Sequence, residues 1–259
     1  ISQLFSSRVD PGEILKEYRT TRFPDKFYNL KIGIPYADLE RRLDIASVLG
    51  LCTETLMLEK SDRPCTMGVD TGKDLHVVIL REDPKDYEKN HLVYLGICQE
   101  FSELDALMER FQVERCVIDG LPETHATGAF ARRHAGRVFL SFFVESQRGD
   151  AKWDVHARTV LMNRTDALDA SRAAVREKKL ILPRRDPRMD LFAHHMAADA
   201  KVLVEDEETG QKRFRYVRTK PEDHLSLAFT YAWMAASDQS GARGFLNHLQ
   251  REIDAMNRR

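Results

Sequence analysis

Short runs of apolar and β-branched residues mark the middle of the chain as a succession of β-strands. The segments CTMGVD, LHVVILRED and HLVYLGICQ start at residues 65, 75 and 91, and links of only a few residues separate them. Links this short favour antiparallel neighbours. An amphipathic helix is predicted at 103–111, with an apolar stripe made of Leu104, Leu107, Met108 and Phe111.

The next elements alternate between strand and helix. RCVIDG, from Arg115, predicts a fourth strand, a helix is predicted at 125–134, and RVFLSFFVE, from Arg137, predicts a fifth strand. A meander followed by helix, strand, helix and strand predicts an α/β fold with a mixed five-stranded sheet flanked by helices. This order is that of a ribonuclease H-like core and differs from the alternating order of a dinucleotide-binding fold.

Beyond this core the pattern predicts a short strand within 155–164 and an amphipathic helix at 165–179, capped by Thr165. KVLVE and RFRYVRT predict an added β-hairpin with its turn at Gly210. Pro221 opens a strongly apolar helix, PEDHLSLAFTYAWMAA, and a last amphipathic helix is predicted from Phe245 to Met256.

The first 64 residues have a different pattern. A helix is predicted over EILKEYR and a second from about Asp38, with Gly33 and Pro35 between them. Neither helix comes with a core of its own, so we interpret residues 1–64 as a connector and 65–259 as the main domain. Because the chain lacks an initiator Met, we expect it to be a piece of a longer protein.

Composition excludes several classes of protein. The 259 residues are 42% hydrophobic and 31% charged, which is typical of a globular protein and excludes collagen-like or wholly disordered chains. No apolar run is long enough for a membrane helix, and the N-terminus has no signal-peptide pattern. The four cysteines, Cys52, Cys65, Cys98 and Cys116, form no CxxC pair. A zinc ribbon is therefore not expected. We expect the protein to lie in a reducing, cytoplasmic compartment.

Charge is unevenly distributed although the net charge is only −1. Residues 130–188 carry an excess of seven positive charges, and the remainder carries the compensating negative charge. Such a separation predicts one surface that faces a polyanion and another region that collects carboxylates. A solvated pair of arginine-rich helices would explain the same charge run.

Three acids stand where predicted elements end or begin. Asp70 ends the first core strand, Asp119 ends the fourth, and Asp223 opens the long C-terminal helix. Carboxylates that meet at one edge of a sheet repel one another unless a divalent cation neutralises them. Oxygen ligands without a His/Cys cluster suit Mg²⁺ or Mn²⁺ better than Zn²⁺. Each acid alone could also be a turn former or a helix cap.

The motifs MGVDTG, CVIDG and PEDHLSLAFTYAW, in this order, resemble the nuclease domain of phage terminase large subunits, the motors that package viral DNA. FYNLKIGIPY resembles that family's junction between ATPase and nuclease domains. The resemblance implies a metal-dependent endonuclease that cuts concatemeric double-stranded DNA with two Mg²⁺ or Mn²⁺ ions. Asp70, Asp119 and Asp223 would be the metal ligands, with Asp74 as an auxiliary acid. Glu123 is the alternative second ligand, since many family members have Glu there.

The resemblance also implies the partners and the place of action. These are the ATPase domain of the same protein, the portal protein, the small terminase subunit and DNA, with no membrane, in the host cytoplasm at the procapsid portal. No G-x-x-x-x-G-K-[ST] motif is present, so this piece is not expected to hydrolyse ATP.

Several further side chains are candidates for the site or for DNA. His224 is predicted to be an outer-shell group or a proton carrier, whereas His194 and His195 are assigned to surface or capping roles. Binding to DNA would depend on phosphate contacts and fall with salt. The candidate DNA-binding residues are Arg148, Lys152, Arg158, Arg184, Arg185, Lys212, Arg213, Arg215, Arg218 and Lys220.

Two alternative functions stay open on the sequence. One is another ribonuclease H-like nuclease, of the resolvase or transposase type. The other is a non-catalytic module that clamps DNA or docks on the portal, in which the acids serve stability.

Overall fold

The computed structural model describes residues 10–20, 27, 31–32, 43–147, 149–205, 212–220 and 222–237. The chain divides into two compact units. The smaller comprises 1–43 and 197–222, and the larger comprises 44–196 and 223–259. The division of a longer protein into a connector at 1–64 and a nuclease domain at 65–259 stays a prediction.

One eight-stranded mixed sheet forms the centre of the larger unit. Its strands are β1 (Cys65–Asp70), β2 (Leu75–Glu82), β3 (Asn90–Cys98), β4 (Val113–Asp119), β5 (Val138–Phe143), β6 (Lys152–Asp154), β7 (Thr159–Met162) and β8 (Leu180–Ile181). Their order across the sheet is β6-β7-β5-β4-β1-β2-β3-β8.

The five predicted strands form a contiguous block, β5-β4-β1-β2-β3, within this sheet. β1, β2 and β3 pair antiparallel, β4 runs parallel to β1, and β5 runs parallel to β4. This is the ribonuclease H-like order, so the predicted fold class is confirmed. The sheet is wider than the predicted five strands because β6, β7 and β8 extend it. β6 and β8 have three and two residues, too few for an alternating pattern to show.

Helices cover both faces of the sheet. Among the described residues the helices are α1 (Pro11–Thr20), in the smaller unit, and, in the larger unit, α2 (Ile45–Leu49), α3 (Phe101–Arg110), α4 (Thr124–Arg133), α5 (Arg164–Arg176), α6 (Pro187–Met196) and α7 (His224–Ser237). The predicted cap of α5 is corrected. Asn163, not Thr165, caps it, because the Asn163 side chain accepts hydrogen bonds from the backbone N–H groups of Thr165 and Asp166.

The main core lies between one sheet face and the helices α3 and α4. The predicted apolar stripe of α3 is buried there, with Phe111 just past the end of the helix, against Phe130 of α4 and the inward side chains of the strands. On the opposite face α7 packs on β1, β2 and β4, and α5 packs on α7. The sheet is therefore covered on both sides along its central strands, which fits the nearly continuous apolar sequence of β1 and β2.

A glycine sets the distance between α7 and the sheet. Gly68, in the middle of β1, faces the backbone of α7 so closely that a Cβ atom would overlap the carbonyl oxygen of Ala228 and the amide of Ala232. Only a residue without a side chain permits this approach. The N-terminus of α7 is thereby held near the end of β1, two residues beyond Gly68.

The smaller unit contains α1 and the hairpin of β9 (Asp199–Glu205) and β10 (Lys212–Arg218), which pair antiparallel as predicted. The predicted turn at Gly210, the helix start near Asp38 and the helix from Phe245 to Met256 lie outside the described residues. Within the described part of the chain, no helix combines the length and the apolar character needed to span a bilayer.

Candidate metal centre

Two of the predicted acids come together at the ends of adjacent parallel strands. β1 and β4 pair in a register that aligns Val69 with Ile118, so the next residues, Asp70 and Asp119, follow side by side. Asp70 is only 3% exposed and Asp119 is partly buried. The carboxyl ends of both strands therefore present carboxylates at one place on the sheet edge.

The third predicted acid, Asp223, directly precedes α7. The backbone carbonyl of Asp223 accepts hydrogen bonds from the N–H groups of Ser226 (2.9 Å) and Leu227 (3.1 Å), which starts the helix. The Asp223 side chain is buried, with 1% of its surface exposed. The next residue, His224, places Nδ1 2.9 Å from Oδ2 of Asp70. The first turn of α7 thus joins the site at the end of β1.

Two more histidines surround this contact. His76, on β2, lies directly opposite Asp70 in the antiparallel register of β1 and β2. Its ring stacks on His224, with centroids 4.6 Å apart and planes inclined by 16°. His195 of α6 is buried, and its Nδ1 accepts a hydrogen bond from the backbone N–H of Leu225 at 3.1 Å. His195 therefore caps the first turn of α7, the kind of role predicted for it.

The electrostatics of the site work against an ionised Asp70. Burial raises the pKa of Asp70 to about 6; the hydrogen bond and charge of His224 oppose this, and the charges of Asp119 and Asp223 add to it. Burial lowers the pKa of His76 to about 4, and the charges of His224 and His195 contribute. A cation at this position would stabilise the ionised carboxylate and accept the neutral imidazole.

The Asp119 carboxylate accepts hydrogen bonds from the backbone of Gly120 and Leu121 and from the Tyr231 side chain. The backbone N–H of Leu121 donates to its Oδ1 at 3.1 Å. Burial raises the pKa of Asp119, while hydrogen bonds from Leu121 and from the buried Tyr231 of α7 oppose the rise. The same burial and the charges of Asp119 and Asp70 raise the pKa of Tyr231 well above its ordinary value. Tyr231 therefore stays protonated and orients the Asp119 carboxylate.

The donor set fits a divalent metal ion. Within the described residues, one group of three or more side chains has its ligand atoms within 4.8 Å of one another, and it comprises Asp70, His76 and His224. Asp119 and Asp223 lie close enough to raise the pKa of Asp70. Carboxylate oxygens with imidazole nitrogens are ligands for Mn²⁺, Co²⁺, Fe²⁺ or Zn²⁺, whereas carboxylates alone suit Mg²⁺.

The auxiliary acid Asp74 and the alternative second ligand Glu123 differ in position. Asp74 lies in the turn between β1 and β2 and is partly buried, and its charge opposes the lowering of the His76 pKa that burial causes. Glu123, the alternative second ligand, is exposed at the residue before α4. Asp119 and Glu123 are the two candidates for the second ligand. Of the two, Asp119 is the one whose charge acts on Asp70.

The predicted DNA-binding residues lie in both units. In the larger unit, Lys152, Arg184 and Arg185 are exposed and Arg158 is partly buried; Arg185 pairs with Asp190 at 2.8 Å. In the hairpin of the smaller unit, Arg213 and Arg218 are exposed, Arg215 and Lys220 are partly buried, and Lys212 begins β10. Arg148 lies outside the described residues.

Sequence reasoning missed His76 and the role of Tyr231. Both lie in apolar segments, where a histidine or a tyrosine resembles a core residue. The signal for His76 was its spacing from Asp70. A short turn between two antiparallel strands places the residue at 76 opposite the residue at 70, on the same face of the sheet.

Comparisons with known proteins concern the fold. No family model and no curated protein matches the sequence. The chain is similar to the large terminase nuclease from the thermophilic phage G20c with bound magnesium, at 11% identity and a TM-score of 0.46, over 73% of this chain and 96% of that one. It is also similar to the large terminase from a second thermophilic bacteriophage, at 11% identity and a TM-score of 0.45, over 89% of this chain.

The match covers 53% of that second terminase, so the chain spans about half of its length. Another structure of the G20c nuclease, with bound zinc, matches at a TM-score of 0.41. The fold class, ribonuclease H-like, follows from the chain's own strand order.

Proposed function

We propose that this protein is a metal-dependent endonuclease that cuts double-stranded DNA during the packaging of a viral genome. The proposal is supported by the adjacent strand ends that carry Asp70 and Asp119, and by the charge of Asp223, just before α7, which acts on Asp70. The order of the motifs around these acids supports the packaging context. In that context the chain would act beside an ATPase domain at a procapsid portal.

The three carboxylates, with His224, would hold the divalent ions. Divalent ions held there would supply the activation of a water molecule and the stabilisation of the leaving oxygen of a phosphodiester. The chain's own residues prepare the site. His224 orients the buried Asp70, Tyr231 orients Asp119, and Gly68 keeps the first turn of α7 close to β1.

The DNA would be bound through its phosphates. The exposed Lys152, Arg184 and Arg185 of the larger unit, and the basic residues of the hairpin, provide the positive charge. Phosphate contacts release counterions, so affinity falls steeply with salt and does not depend on base sequence. Replacing Lys152 and Arg184 with Gln is expected to weaken binding of a random duplex and to reduce its salt dependence.

Plasmid cleavage tests the proposal most simply. Supercoiled DNA is incubated with the wild-type chain in Mn²⁺, Mg²⁺ or EDTA, beside Asp70→Asn, Asp223→Asn and the control Asp83→Asn. Asp83 is a suitable control because it is also bonded to a histidine on the same sheet, His91, at 2.7 Å. We expect metal-dependent nicking and linearisation that falls at least about 100-fold in the first two variants, the loss typical of removing one electrostatic group from an active site.

The control decides how a negative result is interpreted. Asp83→Asn is expected to cut within about twofold of the wild type, because Asp83 serves a turn. Cleavage that survives both site substitutions would contradict the proposal. Intact DNA binding without any cleavage, in every metal tested, would favour the non-catalytic clamping module instead.

A further inference from the structure

We propose that Asp70, His76 and His224 form a mixed carboxylate–imidazole site that selects a transition-metal ion such as Mn²⁺ over Mg²⁺. The inference deepens the proposed nuclease function, on which its catalytic relevance rests, because it names the kind of ion that the same site prefers. It assigns His76, the second residue of the apolar strand β2, as a metal ligand.

The strand register brings the first two ligands together. Asp70 and His76 are directly opposed in the antiparallel ladder of β1 and β2, so their side chains leave the same face of the sheet. Residues opposed in this way have Cβ atoms about 5 Å apart. The backbone alone therefore fixes a carboxylate beside an imidazole, and no loop rearrangement is needed to assemble them.

Helix α7 adds the third ligand. Nδ1 of His224 lies 2.9 Å from Oδ2 of Asp70, and the ligand atoms of all three side chains lie within 4.8 Å of one another. Two ligand atoms that share one metal ion are commonly about 3 Å apart, as expected for bonds of about 2.1 Å. A small movement of the side chains would therefore let one ion replace the contact between His224 and Asp70.

The two histidine rings support each other, and His195 holds the start of α7 from outside the site. The rings of His76 and His224 stack at 4.6 Å, and the backbone N–H of Leu225, the residue after His224, donates to Nδ1 of His195. His195 thus uses one nitrogen to hold the start of α7, and its ring centroid lies 6.5 Å from that of His224. Ligands held in this way lose little conformational freedom when an ion binds.

The donor atoms determine the preference for the ion. Mg²⁺ takes oxygen ligands and gives up its waters reluctantly, so it gains little from imidazole nitrogens. Mn²⁺, Co²⁺ and Zn²⁺ accept both imidazole and carboxylate. The all-carboxylate combination of Asp70, Asp119 and Asp223 would serve either kind of ion. The selectivity therefore depends on the two histidines.

The affinity of the protein for Mn²⁺ and Mg²⁺, measured without DNA, tests this inference. Calorimetric titration of Mn²⁺ and of Mg²⁺ into the full chain is compared for the wild type, His76→Phe and the control His91→Phe. Phenylalanine keeps a ring against His224 and removes the nitrogens. His91 is a matched control because it is a strand histidine of the same sheet bonded to an aspartate. We expect His76→Phe to weaken Mn²⁺ binding about 10-fold or more and Mg²⁺ binding less than twofold.

The nitrogens themselves can be detected. Electron spin-echo envelope modulation of bound Mn²⁺ is expected to show ¹⁴N coupling from imidazole, which weakens in His76→Phe and in a second variant, His224→Asn, and is unchanged in His91→Phe. A wild-type Mn²⁺ signal without ¹⁴N coupling would overturn the inference. So would unchanged Mn²⁺ affinity in a folded His76→Phe protein.

The outcome is separable from that of the nuclease assay. Metal-dependent cleavage with no role for His76 in Mn²⁺ binding would remove the mixed site and leave the nuclease proposal standing. Nitrogen-coordinated Mn²⁺ without any cleavage would leave the metal site standing and remove the nuclease.

Discussion

Two aspartate–histidine pairs, each with one member in the large sheet, have opposite properties. Asp70 is bonded to His224 at 2.9 Å, and Asp83 is bonded to His91 at 2.7 Å. The chemical groups and the distances are nearly the same. Yet the pKa of Asp70 is raised to about 6, whereas the pKa of Asp83 is lowered.

The difference comes from the other neighbours of each carboxylate. Around Asp83, burial favours the neutral acid, but hydrogen bonds from His91 and from the backbone N–H groups of Lys85 (2.7 Å) and Asp86 (3.2 Å) outweigh it. Asp70 is buried more deeply and lies near two further carboxylates. The Asp83 pair completes a turn, and the Asp70 pair belongs to a group of neighbouring carboxylates.

The comparison shows that an aspartate–histidine contact is not in itself a functional site. What distinguishes the site is that the protein gathers like charges there at a cost in stability. Such a cost is typical of binding and catalytic sites, whereas a structural pair contributes stability. The two pairs therefore give matched variants for testing the account.

The largest expected effect is on the free energy of unfolding and concerns the packing of α7 against β1. This packing positions the Asp70 pair and has no role in the Asp83 pair. Gly68→Ala would place a methyl group against the backbone of Ala228 and Ala232, which cannot move without displacing the helix. We expect it to lower the free energy of unfolding by about 3 kcal/mol or more. Gly96→Ala, on β3, would meet only the side chain of Tyr94, so chemical denaturation should show a smaller loss there. Equal losses in the two variants would show that the close approach of α7 is unimportant.

The next effect is a change in the free energy of unfolding that has opposite signs for substitutions of Asp70 and Asp83. In EDTA at pH 7, Asp70→Asn is expected to stabilise the protein by about 1–3 kcal/mol. The substitution removes a carboxylate whose pKa is raised from 3.8 to about 6, and which is therefore costly to ionise in the folded state. Asp83→Asn should destabilise it by about 1 kcal/mol through lost hydrogen bonds to the turn. Urea denaturation of both variants measures the two changes.

The pH dependence of these changes follows from the pKa shifts. A raised pKa means that the contribution of Asp70 to stability is complete below its ordinary pKa of 3.8 and is lost as the pH rises through about 6. The advantage of Asp70→Asn should therefore be full above pH 6 and vanish below about pH 4. For Asp83, whose pKa is lowered, the contribution is present at neutral pH and is lost on acidification. Destabilisation by Asp70→Asn at pH 7 would contradict the account.

The smallest expected effect concerns the orientation of Asp119. Tyr231→Phe removes the hydroxyl that bonds to this carboxylate. We expect a loss of about 1 kcal/mol, which corresponds to cleavage about fivefold slower, with metal dependence retained. Tyr94→Phe, on β3, should cut at the wild-type rate. A Tyr231→Phe variant with unchanged cleavage would assign this tyrosine to packing alone.

Much of this arrangement could be predicted from the sequence. The five central strands have enough residues for their apolar pattern to show, and strand ends with acids in MGVD and CVID indicated where charge would gather. The burial of Asp70 and Asp223 and the partial burial of Asp119 agree with a role beyond turns and caps. Their assignment as metal ligands stays a prediction.

The missed features depend on contacts between distant segments. His76 looked like part of an apolar strand, and only the register of β1 with β2 reveals that it faces Asp70. Asn163 caps α5 ahead of the Thr165 that the sequence favoured, because both residues are good caps and the chain geometry chooses between them. The two-residue β8 depends on pairing with β3 and has no local signal.

Divalent ions are proposed to bind at the Asp70 carboxylate, beside Asp119 and Asp223. Crystals of the protein soaked in Mn²⁺ and measured at a wavelength that excites manganese would locate the ions directly. We expect an anomalous peak in contact with the Asp70 carboxylate, which is lost in Asp70→Asn crystals and retained in Asp83→Asn crystals. Manganese bound only elsewhere, or no manganese at Asp70 at saturating concentration, would contradict it.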